Sequence, residues 1–255
     1  LNFFSFQKDD LRLAKYLDRD LDKLIYRNKT ILKIPEKDLA VGFNNLKKMG
    51  IDKSKKFVCL GIRDEQYLKK TFPSKSYKKH NYRDTKPENF IKLIKFLNSQ
   101  GFYVIKMNKT SEKILPITNP LFIDYTKSKF ASESMDFFLC NQCEFFISTG
   151  YGFDSVPRIF KKPILIVSMA PIGYLPTYIG NSMLSFKKYF CKKRGKYLNL
   201  NEIFNENLAY IADSHELNNR NVSLHDNTSE ELVDIIKEFI IFLYKSKEYF
   251  KYVNL

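Results

Sequence analysis

The chain has 255 residues, enough for one large domain or two small ones with a full core and no need of stabilising cross-links. Its 44% hydrophobic and 15% aromatic content, with 23 Phe and 16 Tyr, argues against disorder. A formal charge of +15 favours anionic partners: nucleic acid, anionic lipid or phosphorylated small molecules. Lysine and asparagine recur along the whole chain, however, and a compositional bias gives the same excess.

No apolar run approaches the ~18 residues of a membrane span, and no signal-peptide pattern opens the chain, so it reads as cytoplasmic. It begins at Leu1 without methionine, which leaves room for residues upstream. The four cysteines are too scattered for a disulfide framework. Cys140-Asn-Gln-Cys143 follows an apparent helix and precedes a strand, the reverse of a redox motif, so these thiols read as core residues.

In chain order, residues 8–50 have amphipathic helical spacing, with a helix starting near Pro35 and stopping at Gly50. Residues 1–55 are thus a helical lead-in, and 56–255 a domain of alternating elements. Lys56 to Ile62 is a buried-strand run, Pro87 to Gln100 a helix, Phe102 to Met107 and Leu121 to Tyr125 strands. Ser132 to Asn141 follows as a helix, Glu144 to Ser148 as a strand, Phe153 to Phe160 as a short helix and Ile164 to Ser168 as a strand. Residues 171–200 lack periodicity and read as a long functional loop. A final helix opens with a capping box, Thr228 with Glu231. Short apolar strands alternating with helices imply right-handed crossovers and a doubly wound parallel sheet, an α/β Rossmann-like fold. Ligands of such sheets bind beyond the carboxyl ends of the strands.

That rule selects Arg63 and Asp64 after the first strand, Asn108 after the second, and Ser148 to Gly152 after the fourth. An arginine at this edge suits bidentate bonds to phosphate or carboxylate, and an ion pair between loops is the plain alternative. Residues 69–83 and 187–196 each carry six Lys or Arg and no acid, and both read as loops facing something negative. The first ends in His80-Asn81-Tyr82-Arg83; its histidine could act as a general base and its arginine could hold an anion or be solvated. The turn F-F-I-S-T-G-Y-G-F-D-S-V-P fits no Walker loop, dinucleotide fingerprint or nucleophile elbow. Its hydroxyls and N–H groups, ahead of a helix, could make an anion site, with Asp154 better read as a cap.

Several stretches together, V-C-L-G-I-R-D, H-N-Y-R-D, G-F-Y-V-I-K-M, F-I-D-Y, M-D-F-F-L, F-F-I-S-T-G-Y-G-F-D-S-V-P and P-I-G-Y-L-P-T, resemble the bacterial glycosyltransferases of surface-carbohydrate clusters. Coverage runs from about 56 to 240. The resemblance implies a GT-B type enzyme, distantly similar to fucosyltransferases, whose Rossmann-like domain binds a nucleoside-diphosphate sugar as donor substrate, with no cofactor and no metal. It implies donor contacts from Arg63, Asn81, Tyr82, Arg83, Lys106, Ser148, Thr149, Gly150 and Gly152, with Asp64 and His80 as candidate bases. Lys106 stands where the family shows arginine, and Tyr151 where a small residue is common. The implied acceptor is a glycan or lipid-linked glycan, which would add peripheral contact with the inner face of the cytoplasmic membrane; no nucleic acid is expected. A GT-B enzyme has two such domains, so the acceptor domain is missing, reduced or upstream. The competing readings are a basic nucleic-acid-binding module and a catalytically inactive carbohydrate- or nucleotide-binding domain.

Overall fold

The computed structural model describes residues 27, 32–63, 66, 69, 73–74, 77–107, 114–176 and 179–253; the helical spacing expected over 8–26, Asp64 and Asn108 lie outside them. A helix, α1 (Glu36–Lys48), leads into β1 (Phe57–Gly61), and a 3₁₀ turn over Lys78–Arg83 carries the H-N-Y-R sequence. Next come a 3₁₀ turn at Pro87–Phe90 and α2 (Ile91–Ser99), then β2 (Tyr103–Lys106), β3 (Phe122–Asp124), α3 (Glu133–Gln142) and β4 (Phe146–Ser148). A 3₁₀ turn at Gly152–Asp154 runs into the short α4 (Ser155–Ile159), followed by β5 (Ile164–Met169).

The expected loop over 171–200 is corrected: it holds β6 (Ser182–Phe186), β7 (Lys188–Cys191) and β8 (Lys196–Tyr197). The reason is position. β6 is an edge strand with every residue only half-buried, so S-M-L-S-F has no continuous apolar run to betray it. The chain closes with α5 (Leu200–Asn205), α6 (Ser214–Asn219), β9 (Val222–His225) and α7 (Ser229–Val253). The box that opens α7 is present: the Thr228 N–H donates to Glu231 Oε2 at 2.8 Å and the Glu231 N–H to Thr228 Oγ1 at 3.2 Å.

Six strands form one sheet in the order β3-β2-β1-β4-β5-β6, parallel throughout. Its four inner strands are buried on both faces, so alternate residues feed two cores. Phe57, Cys59, Ile105, Phe146 and Ile164 join Met135, Phe138 and Leu139 of α3 on one side. Val58, Leu60, Val104, Ile147 and Leu165 join Leu93, Ile94 and Leu97 of α2 and Leu232, Ile236 and Phe239 of α7 on the other. Each such side chain contributes about 1.5–3 kcal/mol of burial. Helix α1 belongs to the first core: Leu46 and Ile51 are buried in it, and Gly42 lies so close to Phe138 that a Cβ would sit 2.2 Å from its ring.

Strands β8, β7 and β9 make a small antiparallel sheet that packs with α5 and α6 around Tyr189, Leu198, Ile203, Leu217 and Val222. The second basic stretch lies on this unit and does not simply face outward. Lys187 pairs with Asp226, Lys188 with Glu231, Arg194 with Glu202 and Glu206, and Lys196 with Glu202. Four of its six cations thus meet the chain's own carboxylates, and Lys192 donates to the Asn218 amide at 2.9 Å.

Candidate functional site

In this strand order the chain leaves β1 and β4 in opposite directions, opening a crevice at the carboxyl edge between them. The residues that follow the two strands are joined across it. The Arg63 N–H donates to Thr149 Oγ1 at 2.9 Å, and Arg83 Nη2 donates to the Gly150 carbonyl at 3.0 Å. The Arg63 guanidinium pairs with the Asp84 carboxylate and reaches the His80 carbonyl at 3.4 Å. Arg63, His80, Arg83 and the turn at 148–150, far apart in sequence, thus meet at one place. The 3₁₀ turn of H-N-Y-R makes this possible, anchored by the Tyr82 N–H on Ser214 Oγ at 2.9 Å.

The turn after β4 uses its own polar groups. Ser148, fully buried, donates its hydroxyl to Asp154 Oδ1 and accepts the Gly150 N–H at 2.9 Å. Asp154 Oδ2 accepts the Tyr151 N–H at 3.0 Å. Asp154 is therefore a cap, as its position suggested. The Ser148 hydroxyl, expected to line the phosphate or ribose, is thus engaged by partners within the turn. Thr149 is likewise 1% exposed and turned to the Arg63 backbone. The helix behind them spans only Ser155–Ile159. What the turn presents outward is the backbone of the exposed Gly152, whereas Gly150, at φ +79, is buried with its N–H on Ser148 and its carbonyl on Arg83. Burial lifts the Asp154 carboxyl to about 6, against the pull of Ser148, Arg158 and the Tyr151 N–H.

Tyr151, between the glycines, crosses the crevice. Its ring lies against Gly61 at the end of β1, where a Cβ would come 2.1 Å from its hydroxyl, and stacks on Phe153 at 6.3 Å. Its hydroxyl donates to the Met107 carbonyl at 3.4 Å, and burial pushes the phenol well above its ordinary value. Lys106 is fully buried in β2 with its ammonium 3.2 Å from Asp124, so a direct ligand contact would require breaking that pair. Asn81 is exposed, whereas Tyr82 packs its ring against the third core, and burial raises its phenol. Burial and then Lys79, Arg63 and Arg83 lower the His80 imidazole, leaving it neutral near pH 7. Cys59, Cys140, Cys143 and Cys191 are all buried and free, as expected of core thiols; burial raises Cys59 and Cys140.

Sequence reading missed the residues that fix the arginines. Asp84 holds the Arg63 side chain, the Asp84 carbonyl accepts from Lys187, and Lys187 lies 2.7 Å from Asp226. Lys187 is 3% exposed, and burial lowers its ammonium against the opposing pull of Asp226. Asp84 closes the quoted H-N-Y-R-D motif and was the one available signal; nothing local marks Lys187 or Asp226 as its neighbours. Among the described residues no three His, Cys, Asp or Glu side chains stand where they could hold a metal ion, and no helix is long and apolar enough to cross a membrane.

Fold and site together define a doubly wound α/β domain of the nucleotide-binding strand order, with two arginines at its switch point. Neither a protein-family model nor a curated protein matches the sequence. Among solved structures, the chain is similar to a glycosyl transferase family 9 protein from Veillonella parvula, at 10% identity and a TM-score of 0.46. The match covers 82% of this chain and 53% of that one, so the chain spans about half the length of that protein.

Proposed function

We propose that the chain is the nucleotide-sugar-binding domain of a GT-B type glycosyltransferase that builds a cell-surface polysaccharide or a lipid-linked glycan. The observation that carries this reading is the convergence of Arg63 and Arg83 on the turn after β4, at the crevice where sheets of this order take nucleotides. The donor diphosphate lies along that edge, against the two guanidiniums and the exposed backbone of Gly152. Asp84 and the His80 carbonyl preset the plane of the Arg63 fork before the ligand arrives.

When the sugar leaves, negative charge grows on the diphosphate, and Arg63 and Arg83 offset it without a metal ion. The acceptor hydroxyl must give up its proton. The neutral imidazole of His80, close enough to the arginines to feel both, takes it, with Asp64 the alternative base. A lipid-linked acceptor would bring the protein to the inner face of the cytoplasmic membrane, where its surplus lysines favour anionic lipid.

Calorimetric titration with UDP-, GDP- and CDP-sugars tests the reading. One nucleotide class binds the wild type, and Arg83→Ala weakens it by about tenfold or more, the effect of losing one charged hydrogen bond. Equal binding by the variant, or none by the wild type, overturns it; a matching thermal melt shows that the variant is folded.

A further inference from the structure

A second concavity lies on the other side of Asp84. It is a groove of about 930 Å³ between the Asn81–Asn89 segment, α6, β9 and the opening of α7. That is the size of pockets that enclose whole small molecules. We propose that this groove is a separate subsite for uncharged glycan residues, held through hydroxyl, amide and carboxylate contacts. It rests on the glycosyltransferase reading for the source of the glycan, and adds where on this domain that glycan sits.

The lining decides the ligand class. Asn81, Asn89, Ser214, Asn218 and Ser223 supply amides and hydroxyls, groups that donate and accept as sugar hydroxyls do. The carboxylates in the wall come already matched, Asp84 with Arg63, Asp226 with Lys187 and Glu230 with Lys92, while the ammonium groups of Lys86 and Lys192 meet no carboxylate among the described residues and Lys192 donates to the Asn218 amide at 2.9 Å. The acidic first turn of α7, Glu230 and Glu231, already satisfies the positive end of that helix and opposes a strongly anionic ligand. An apolar ligand would strip water from the amides and carboxylates without replacing their hydrogen bonds. A neutral polyol meets neither penalty. The groove also holds one buried polar atom that pairs with nothing among the described residues, the Thr85 hydroxyl, 4% exposed in its floor. Tyr82 and His225 add ring surface; His225 is kept in place by stacking on Phe190 and by Tyr197 Oη at 2.9 Å.

Because Asp84 forms the groove wall on one side and holds Arg63 on the other, the glycan would end next to the donor edge, as transfer requires. Saturation-transfer NMR with neutral hexose and N-acetylhexosamine disaccharides, and with uronate-containing ones as the charged comparison, tests this on the whole chain. Ser223→Arg fills the groove from the half-exposed middle of β9, and Asn218→Ala removes one exposed amide. The expected result is signal from the neutral disaccharides, abolished in Ser223→Arg and weakened several-fold in Asn218→Ala, with unchanged thermal melts. No signal from any neutral glycan, full signal in Ser223→Arg, or signal from the acidic glycans alone overturns the proposal. Nucleotide-sugar titration of the same variants separates the two claims. Donor binding without glycan binding removes only the groove, whereas groove-dependent glycan binding without donor binding removes only the donor site.

Discussion

Asp154 is only 2% exposed in the turn after β4, and its protonation is tied to stability. Its carboxyl rises from 3.8 to about 6 because burial penalises the charge more than Ser148, Arg158 and the Tyr151 N–H relieve it. A carboxyl that is a weaker acid folded than unfolded makes the folded state the better proton binder between those values. Its contribution to stability is therefore present at low pH and falls as pH rises from about 4 to about 6. In Asp154→Asn that fall disappears. The difference in unfolding free energy between wild type and variant should shift against the wild type by up to ~3 kcal/mol across the window, read from urea midpoints at each pH. A parallel pH profile in the two proteins would count against the buried, proton-holding carboxyl. Gly61 poses a steric question at the same crevice. A methyl there would press on the Tyr151 hydroxyl and on two ring carbons at 2.8 Å, and an aromatic ring moves only as a unit. Gly61→Ala should cost about 1–3 kcal/mol, and less when Tyr151→Ala is already present. Simple additivity in that double-mutant cycle would mean that the ring does not lie over β1.

Between elements, Asn227 is the point where β5, β6 and the lead into α7 are tied. Its Oδ1 accepts from the Ser168 N–H at 2.8 Å and from the hydroxyls of Ser168 and Ser185 at 3.0 Å, while its own N–H donates to Ser168 Oγ at 2.9 Å. Ser168 sits at φ +50, where β5 breaks register with β6, so its N–H has left the strand ladder and depends on this side chain. Asn227→Ala leaves a buried donor unmatched and should cost on the order of 1–3 kcal/mol, seen as a lower urea midpoint at unchanged slope. An unmoved midpoint would show that another acceptor replaces the amide. The other ties between elements are apolar: α7 lays Leu232, Ile236 and Phe239 on the face of the sheet that α2 also covers.

At the scale of the whole molecule, the net charge of +15 gives little guidance to the site. The basic stretch at 187–196 is largely matched by Asp226, Glu231, Glu202 and Glu206. Those pairs weaken one of the two clusters on which a nucleic-acid-binding reading stood. Two arginines outside that stretch, Arg63 and Arg83, reach the switch point, and the crevice beside them lies between two cores rather than on a charged surface. The described part of the N-terminal lead-in also belongs to this body, since Leu46 and Ile51 are buried in the first core with α3.

Sequence alone determined strands β1 to β5 and most of the helices between them, because the four inner strands, buried on both faces, are continuous apolar runs that turn residues must bound. It also determined the cap at Asp154, the box at Thr228 and the core cysteines, each a matter of residues a few positions apart. Tertiary structure decided what depends on distant partners. It turned Ser148 and Thr149 inward, placed Tyr151 on Gly61, buried Lys106 against Asp124, and set Asp84 between Arg63 and Lys187. It also made β6 a strand, whose half-polar sequence is explained only by its place at the sheet's edge. Hydrogen bonds and ion pairs form with whatever the fold brings within ~3 Å, and a local pattern carries no information about which remote residue that will be.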